Sequence, residues 1–334
     1  MRLGITLLVM VALGGSALLA AAPGVPADAK GIGDLEPESA FVPPPGAGNA
    51  HQSFHGTLVL REAAMITVPS KLRPLIPLQQ DPRVFPAARL SFVSDGGELV
   101  PTSEELQRVG TLGLGRSYWD IIVQPGETWS QADDAGWSHA SFPFALVNGF
   151  ENETHNGMAR FRYRGNEVSD VHVQISAGTA PFAIQTAFTA KAEVHARFEP
   201  LPGPLPATIA LHRRAKADQV PFASWSELEQ KLGRAAPDID AGLDPSGIVV
   251  DGIGYQGTFY VHRCAGAAGP LAWCERRRFG VWSATKSMIT ATALLRLAQA
   301  FGPGALNSRI AAYVPEAAAS PRWRNVRFVD AINM

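Results

Sequence analysis

Phe279-Gly280-Val281-Trp282-Ser283-Ala284-Thr285-Lys286-Ser287-Met288 joins an arginine-rich run, Glu275 to Val281, to a long apolar segment that Gly302 and Pro303 close. The run before it reads as a strand and the segment after it as a helix. Residues three apart share a helix face, so Ser283 and Lys286 would point the same way. A serine at a helix start also sits among unpaired backbone N–H groups, which favour developing negative charge. Its hydroxyl is a weak nucleophile until a base takes its proton, and a lysine removed from water can be that base.

The choice of lysine adds to this. Of Lys30, Lys71, Lys191, Lys216, Lys231 and Lys286, only Lys286 has a serine three residues before it. Between Lys231 and Met334 the chain otherwise uses arginine where it needs a permanent cation, from Arg234 to Arg327. Arginine keeps its proton in a protein, whereas a buried lysine can release it. The plainer reading is a capping serine beside a surface lysine, and the spacing fits both.

Trp282-Ser283-Ala284-Thr285-Lys286-Ser287-Met288, followed by an Ala/Leu-rich helix, resembles the S-x-T-K-S nucleophile segment of the class C β-lactamase family. That family also holds D-alanyl-D-alanine peptidases and esterases. Leu306 to Pro315 is similar to its short segment ending in Tyr-hydrophobic-Pro. Trp323 to Met334 resembles the helix that runs on into Met-x-Ser-Gly. The likeness covers about the last hundred residues. It implies an acyl-enzyme mechanism in which Ser283 attacks a carbonyl, Lys286 accepts its proton and backbone N–H groups hold the oxyanion. The family's Tyr-x-Asn and Lys/His-x-Gly motifs have no counterpart between Ser283 and Met334. The expectation is therefore an incomplete hydrolase chain, weakly active or inactive by itself.

Upstream, Arg2 precedes an apolar run from Leu3 to Ala22, with small-residue cleavage sites at Ala20-Ala21-Ala22 and Ala27-Asp28-Ala29. This pattern predicts a secretory signal peptide over 1–29, hence a periplasmic or secreted protein with no stable membrane span after cleavage. The competing reading is a single membrane anchor. Export places Cys264 and Cys274 where disulfides persist, and the turn-rich segment between them suits a bridge, although two free thiols fit as well.

Pro/Gly-rich residues 30–52 read as a flexible lead-in, 53–198 as a β-rich domain and 199–222 as a Pro-rich linker. The last part, 223–334, reads as a partial hydrolase domain of helix, hairpin and nucleophile helix. The fold class expected is thus α+β. Strand patterns stand at Thr57–Leu60, Ala88–Val93 and Val171–Ile175, with turns at Asp95-Gly96-Gly97, Pro125-Gly126, Asn156-Gly157 and Arg164-Gly165-Asn166, and a short helix over Thr102–Arg108. Ser224 to Glu227 has capping-box spacing and predicts a helix to Leu232, stopped by Gly233. The densest polar–aromatic stretch, Pro125 to Val147 with Trp129, Asp133, Asp134, Trp137 and His139, reads as a loop capping the core, with a sugar or metal site as its alternative. His155-Asn156-Gly157 mimics an H-x-G motif but lies in the β-rich part, upstream of Ser283.

A net charge of −1 over 334 residues carries no footprint for nucleic acid. Neither a cofactor nor a metal site is expected. The partner expected is a small-molecule or peptidoglycan-type amide or ester substrate. The alternative is a non-catalytic exported binding protein whose β-rich domain holds a glycan or a protein.

Overall fold

The computed structural model describes residues 35–75, 80–110, 115–149, 153–179, 183–233 and 238–333, together with the backbone of Leu8–Val9. The rest of the expected signal peptide lies outside the described residues. The fold is α+β and strand-dominated.

Its main body is one antiparallel sheet. In chain order its strands are β1 (His55–Leu60), β2 (Ile66–Val68), β3 (Ala88–Asp95), β4 (Glu98–Pro101), β5 (Asp120–Val123), β6 (Gly126–Trp129), β7 (Ser138–Val147), β8 (Thr154–Arg164), β9 (Val171–Gly178), β10 (Thr189–Val194) and β11 (Ala196–Pro200). Their spatial order is β11-β1-β3-β4-β6-β7-β8-β9-β10-β2, with β5 added beside β7 and the two-residue strand Glu167–Val168 beside the end of β8. The β10 and β11 strands stand at nearly opposite ends of this order, yet only His195 separates them. Eight strand spacings would span roughly 38 Å in a flat sheet, whereas two residue steps span about 7 Å. The sheet is therefore rolled on itself. The period-two patterns supply its interior: Ala140, Phe142, Phe144 and Leu146 of β7 meet Phe161 of β8, Val173 and Ile175 of β9, and Leu90 and Phe92 of β3.

Turn chemistry fixes the hairpins. Gly96, at φ 62°, joins β3 to β4, and Gly165, at φ 59°, turns the chain after β8. Asn156-Gly157 is not a turn, as the dipeptide suggested, but lies inside β8 at a register shift against β9. A side chain at Gly157 would come within 2.3 Å of the Gln174 carbonyl oxygen. Thr102–Arg108 is not helical either: Thr102 N–H donates to Ser91, the Ser103 hydroxyl takes the Glu105 N–H, and Gln107 bridges to Ile121. Local side-chain and ladder bonds there outcompete a helix too short to propagate.

The outer face of β7–β9 is covered, which is why β7 is buried along nearly its whole length. Part of the cover is Glu36–Phe41, from the stretch expected to be a flexible lead-in. Glu36 N–H donates to the Gln174 side chain, Arg160 pairs with Glu36, and Phe41 is fully buried. The expected linker also differs, since Pro206–Ala217 is a helix, α1. Its His212, Arg213 and Lys216 meet Glu98 and Asp95 at the β3–β4 hairpin. Proline at its first position is compatible with helix initiation.

A second, smaller sheet pairs β13 (Val250–Tyr255) with β14 (Thr258–Gly266), and β12 (Phe222–Ser224) runs parallel to β14 on its other side. Gln256 and Gly257, both at positive φ, make the hairpin turn. Ser224 caps α2 (Trp225–Leu232) through a reciprocal pair of bonds with Glu227, and Gly233 follows its end. Cys264 and Cys274 form a disulfide. The arginine run after it is not a strand. Cys274–Arg276 is a 3₁₀ turn, and Arg276, Arg277 and Arg278 reach Glu127, Glu38 and Glu104 of the rolled-sheet region. Its cations are spent on ion pairs instead of a ladder.

Chain contacts divide the molecule into two compact units, Met1–Gly280 and Val281–Met334. The boundary falls inside the 223–334 segment expected to be one domain: α2 and the β13–β14 hairpin cluster with the rolled sheet. The second unit holds α3 (Thr292–Phe301), α4 (Pro315–Ala318) and α5 (Phe328–Ile332). Among the described residues no helix is long and apolar enough to cross a membrane.

Candidate functional site

Ser283 stands in a turn at the start of the second unit. Val281 and Trp282 carbonyls accept from Ala284 and Thr285 N–H groups, and the Ser283 carbonyl accepts from Lys286 N–H. The chain then runs through a π-helical stretch, Lys286–Ala291, into α3. The three-residue spacing does bring the two side chains together: Lys286 Nζ donates to Ser283 Oγ at 3.4 Å. Trp282, immediately before the serine, has φ 40°, a left-handed backbone that costs a bulky non-glycine residue energy. Strain of this kind gathers at functional turns, as do π-helical turns.

The surroundings are open. Ser283 and Lys286 are both exposed. A lysine turns into a base when it leaves water, and the expected burial of the following helix is not found. Leu294 alone of α3 is buried, while Ile289 is 65%, Leu295 56% and Phe301 80% exposed. Periodicity marked the segment as apolar; it did not mark what would cover it. Tyr313, the one tyrosine after Ser283, is exposed and its ring lies tilted against Phe328 with centroids 5.9 Å apart.

His155 of the H-x-G mimic is 1% exposed and locked in the first unit's interior, with Nε2 3.1 Å from Glu153 Oε1 and its ring against Phe188. No substrate reaches it there. The dense aromatic stretch instead borders a groove of about 530 Å³ on the outside of the rolled sheet, between Trp129, His139, Arg160 and Asp170. The Trp129 and His139 rings stack with centroids 5.5 Å apart, His139 Nε2 lies 2.8 Å from Asp134 Oδ1, and the Trp129 indole N–H is buried without an acceptor. Arg160 lies over Phe41. Sequence reading flagged Trp129 and His139 but missed Arg160, whose role depends on the lead-in docking beside it.

It also named no metal ligand. The small sheet nevertheless collects Asp240, Asp251 and His262, whose ligand atoms lie within 4.8 Å of one another. Eleven positions separate the last two, and no spacing rule links them. Comparison of the chain with protein-family models, with curated proteins and with solved structures finds no match.

Proposed function

We propose that the chain carries the nucleophile segment of an exported serine hydrolase related to the class C β-lactamases and D-alanyl-D-alanine peptidases. The observation that carries this reading is the 3.4 Å approach of Lys286 Nζ to Ser283 Oγ, directly after the strained Trp282, within the sequence that resembles S-x-T-K-S. In the reaction, Ser283 Oγ bonds to an amide or ester carbonyl carbon while its proton passes to Lys286 Nζ, which serves as base once bound substrate has displaced the water around it and its own proton has left to solvent. The tetrahedral intermediate expels the amine or alcohol, which takes that proton, and water then releases the acid from the seryl ester. Substrates of the peptidoglycan-peptide, β-lactam or simple ester class share the carbonyl this chemistry needs.

Intact-mass analysis after incubation with a fluorophosphonate tests the reading. One adduct, mapping to Ser283 and absent from Ser283→Ala, is the expected result. A wild-type protein that takes up no adduct, or takes it up elsewhere, would overturn it. Lys286→Arg keeps the charge but cannot accept a proton, so labelling should slow by about 10²–10⁴-fold. Undiminished labelling would remove Lys286 from the base role.

The groove beside Trp129 favours a second reading, in which the β-rich body binds a glycan or a protein. The stacked Trp129 and His139 rings and a guanidinium over the Phe41 ring suit the face of a sugar. Under that reading Trp129→Ala abolishes glycan-array binding while Ser283→Ala leaves it intact.

A further inference from the structure

Asp251 is a problem for its surroundings. It is 6% exposed, and its Oδ2 has no hydrogen-bond partner. A buried carboxylate is normally compensated by a cation, by several donors or by a metal. Arg263 faces Asp251 across the β13–β14 ladder, yet no ion pair joins them. Among the described residues, the side chain that does pair with Asp251 is the imidazole of His262, with Nδ1 3.1 Å from Asp251 Oδ1. The same nitrogen lies 3.8 Å from Asp240 Oδ2.

The fold brings these groups together by a specific device. Register between β13 and β14 shifts at Asp251/Gly252, so that His262 is the extra residue on β14. A bulge of this kind re-aims a side chain that strict alternation would send to the opposite face. Trp225, the first residue of α2, holds the His262 ring edge-on with centroids 4.7 Å apart. Asp240 arrives on the segment between α2 and β13, ahead of a turn capped by Asp244.

We propose that Asp240, Asp251 and His262 form a site for a divalent cation of the zinc class, tying the Asp240 segment to the bulge of the β13–β14 hairpin. One imidazole and two carboxylates are a borderline donor set, suited to zinc more than to calcium or magnesium. A tetrahedral zinc ion with bonds of ~2.0–2.1 Å holds its ligand atoms about 3.3–3.4 Å apart. The 3.1 and 3.8 Å separations bracket that value. Three protein ligands leave the fourth position to water. Neither cysteine competes, since both are in the disulfide. The site is independent of Ser283 and stands or falls without it.

The test is calorimetric titration of the tag-free protein with Zn²⁺, with Ca²⁺ and Mg²⁺ in parallel. One equivalent of Zn²⁺ binding at micromolar or lower concentration is expected, together with a rise in Tm. Asp240→Asn sits on a part-exposed segment outside the strands and should leave the fold intact. It should weaken Zn²⁺ binding by more than the roughly 10–100-fold that follows loss of a mere orienting neighbour. His262→Gln should do the same, and circular dichroism checks that both variants are folded. His172→Ala, at the separate His172–Glu36–Glu193 cluster, should leave the affinity unchanged. No Zn²⁺ binding by the wild type, affinity that survives Asp240→Asn, or affinity lost with His172→Ala would each overturn the proposal.

Discussion

Glu38 and Arg277 lie 239 positions apart and share a pocket in which neither side chain sees more than a trace of solvent. Glu38 Oε2 accepts from the Arg277 guanidinium and from Ala272 N–H at 2.8 Å, and Oε1 accepts from Ser176 Oγ at 2.6 Å. Arg277 spends its remaining donors on the carbonyls of Ala272 and Gly157. Removing one charge strands the other in a dry site, so Glu38→Gln should cost about 3–5 kcal/mol of unfolding free energy. Replacing the pair together, Glu38→Leu with Arg277→Met, should return much of that loss. Urea melts of the three proteins check both statements. None of this was legible in the sequence, where Glu38 stands in a Pro-rich stretch and Arg277 in a run of three arginines. Ser283 and Lys286 were legible because a fixed local spacing encodes their approach. Trp282 was not, since nothing in a tryptophan announces a left-handed backbone.

Among the elements, those set by local chemistry were readable: the alternating strands, the glycine turns after β3 and β8, and the Ser224 cap. Elements set by distant partners were misread. The arginine run looked like a strand until its acidic partners were in view, and the proline-rich linker hid α1, whose cations answer Glu98 and Asp95. Two elements can be tested directly. The disulfide closes a loop with a sequence separation of 10. Opening it with Cys264→Ser/Cys274→Ser should lower stability by about 2–3 kcal/mol, measured by calorimetry against wild type. The start of α5 is held by Asp330, whose carboxylate accepts from Arg327 N–H at 2.9 Å and from its guanidinium at 2.7 Å. Arg327 accordingly lowers the Asp330 pKa from 3.8 to about 2. A depressed carboxyl pKa adds stability that is full above the ordinary value and fades as pH falls through the folded one. The α5 start should therefore loosen between about pH 4 and pH 2. The exposed pair contributes little to global stability, so the observable is the Asp330 carboxyl shift by NMR. A midpoint near 4 would mean that the pair does not form in solution.

Across the whole molecule, burial is distributed unevenly. The Met1–Gly280 unit contains the interior formed by the rolled sheet, whereas among the described residues of Val281–Met334 only Leu294 and Ala317 are buried apolar side chains. Amide exchange should reflect this, with β7 and β8 protected to near the global limit and α3 exchanging orders of magnitude faster. Comparable protection in α3 would mean that its apolar face is covered in solution. The rolled topology also has a temporal meaning. Because β11 pairs with β1 through Ala196 and Leu60, 136 positions apart, the edge of β1 has no neighbour on that side until both strands exist. At ~5–20 residues per second, a ribosome takes about 7–27 s to cover that distance. The nascent chain thus spends seconds with an unsatisfied strand and an open interior. The roll closes only when its last strand arrives, and the order of synthesis makes the earliest strand wait longest for its partner.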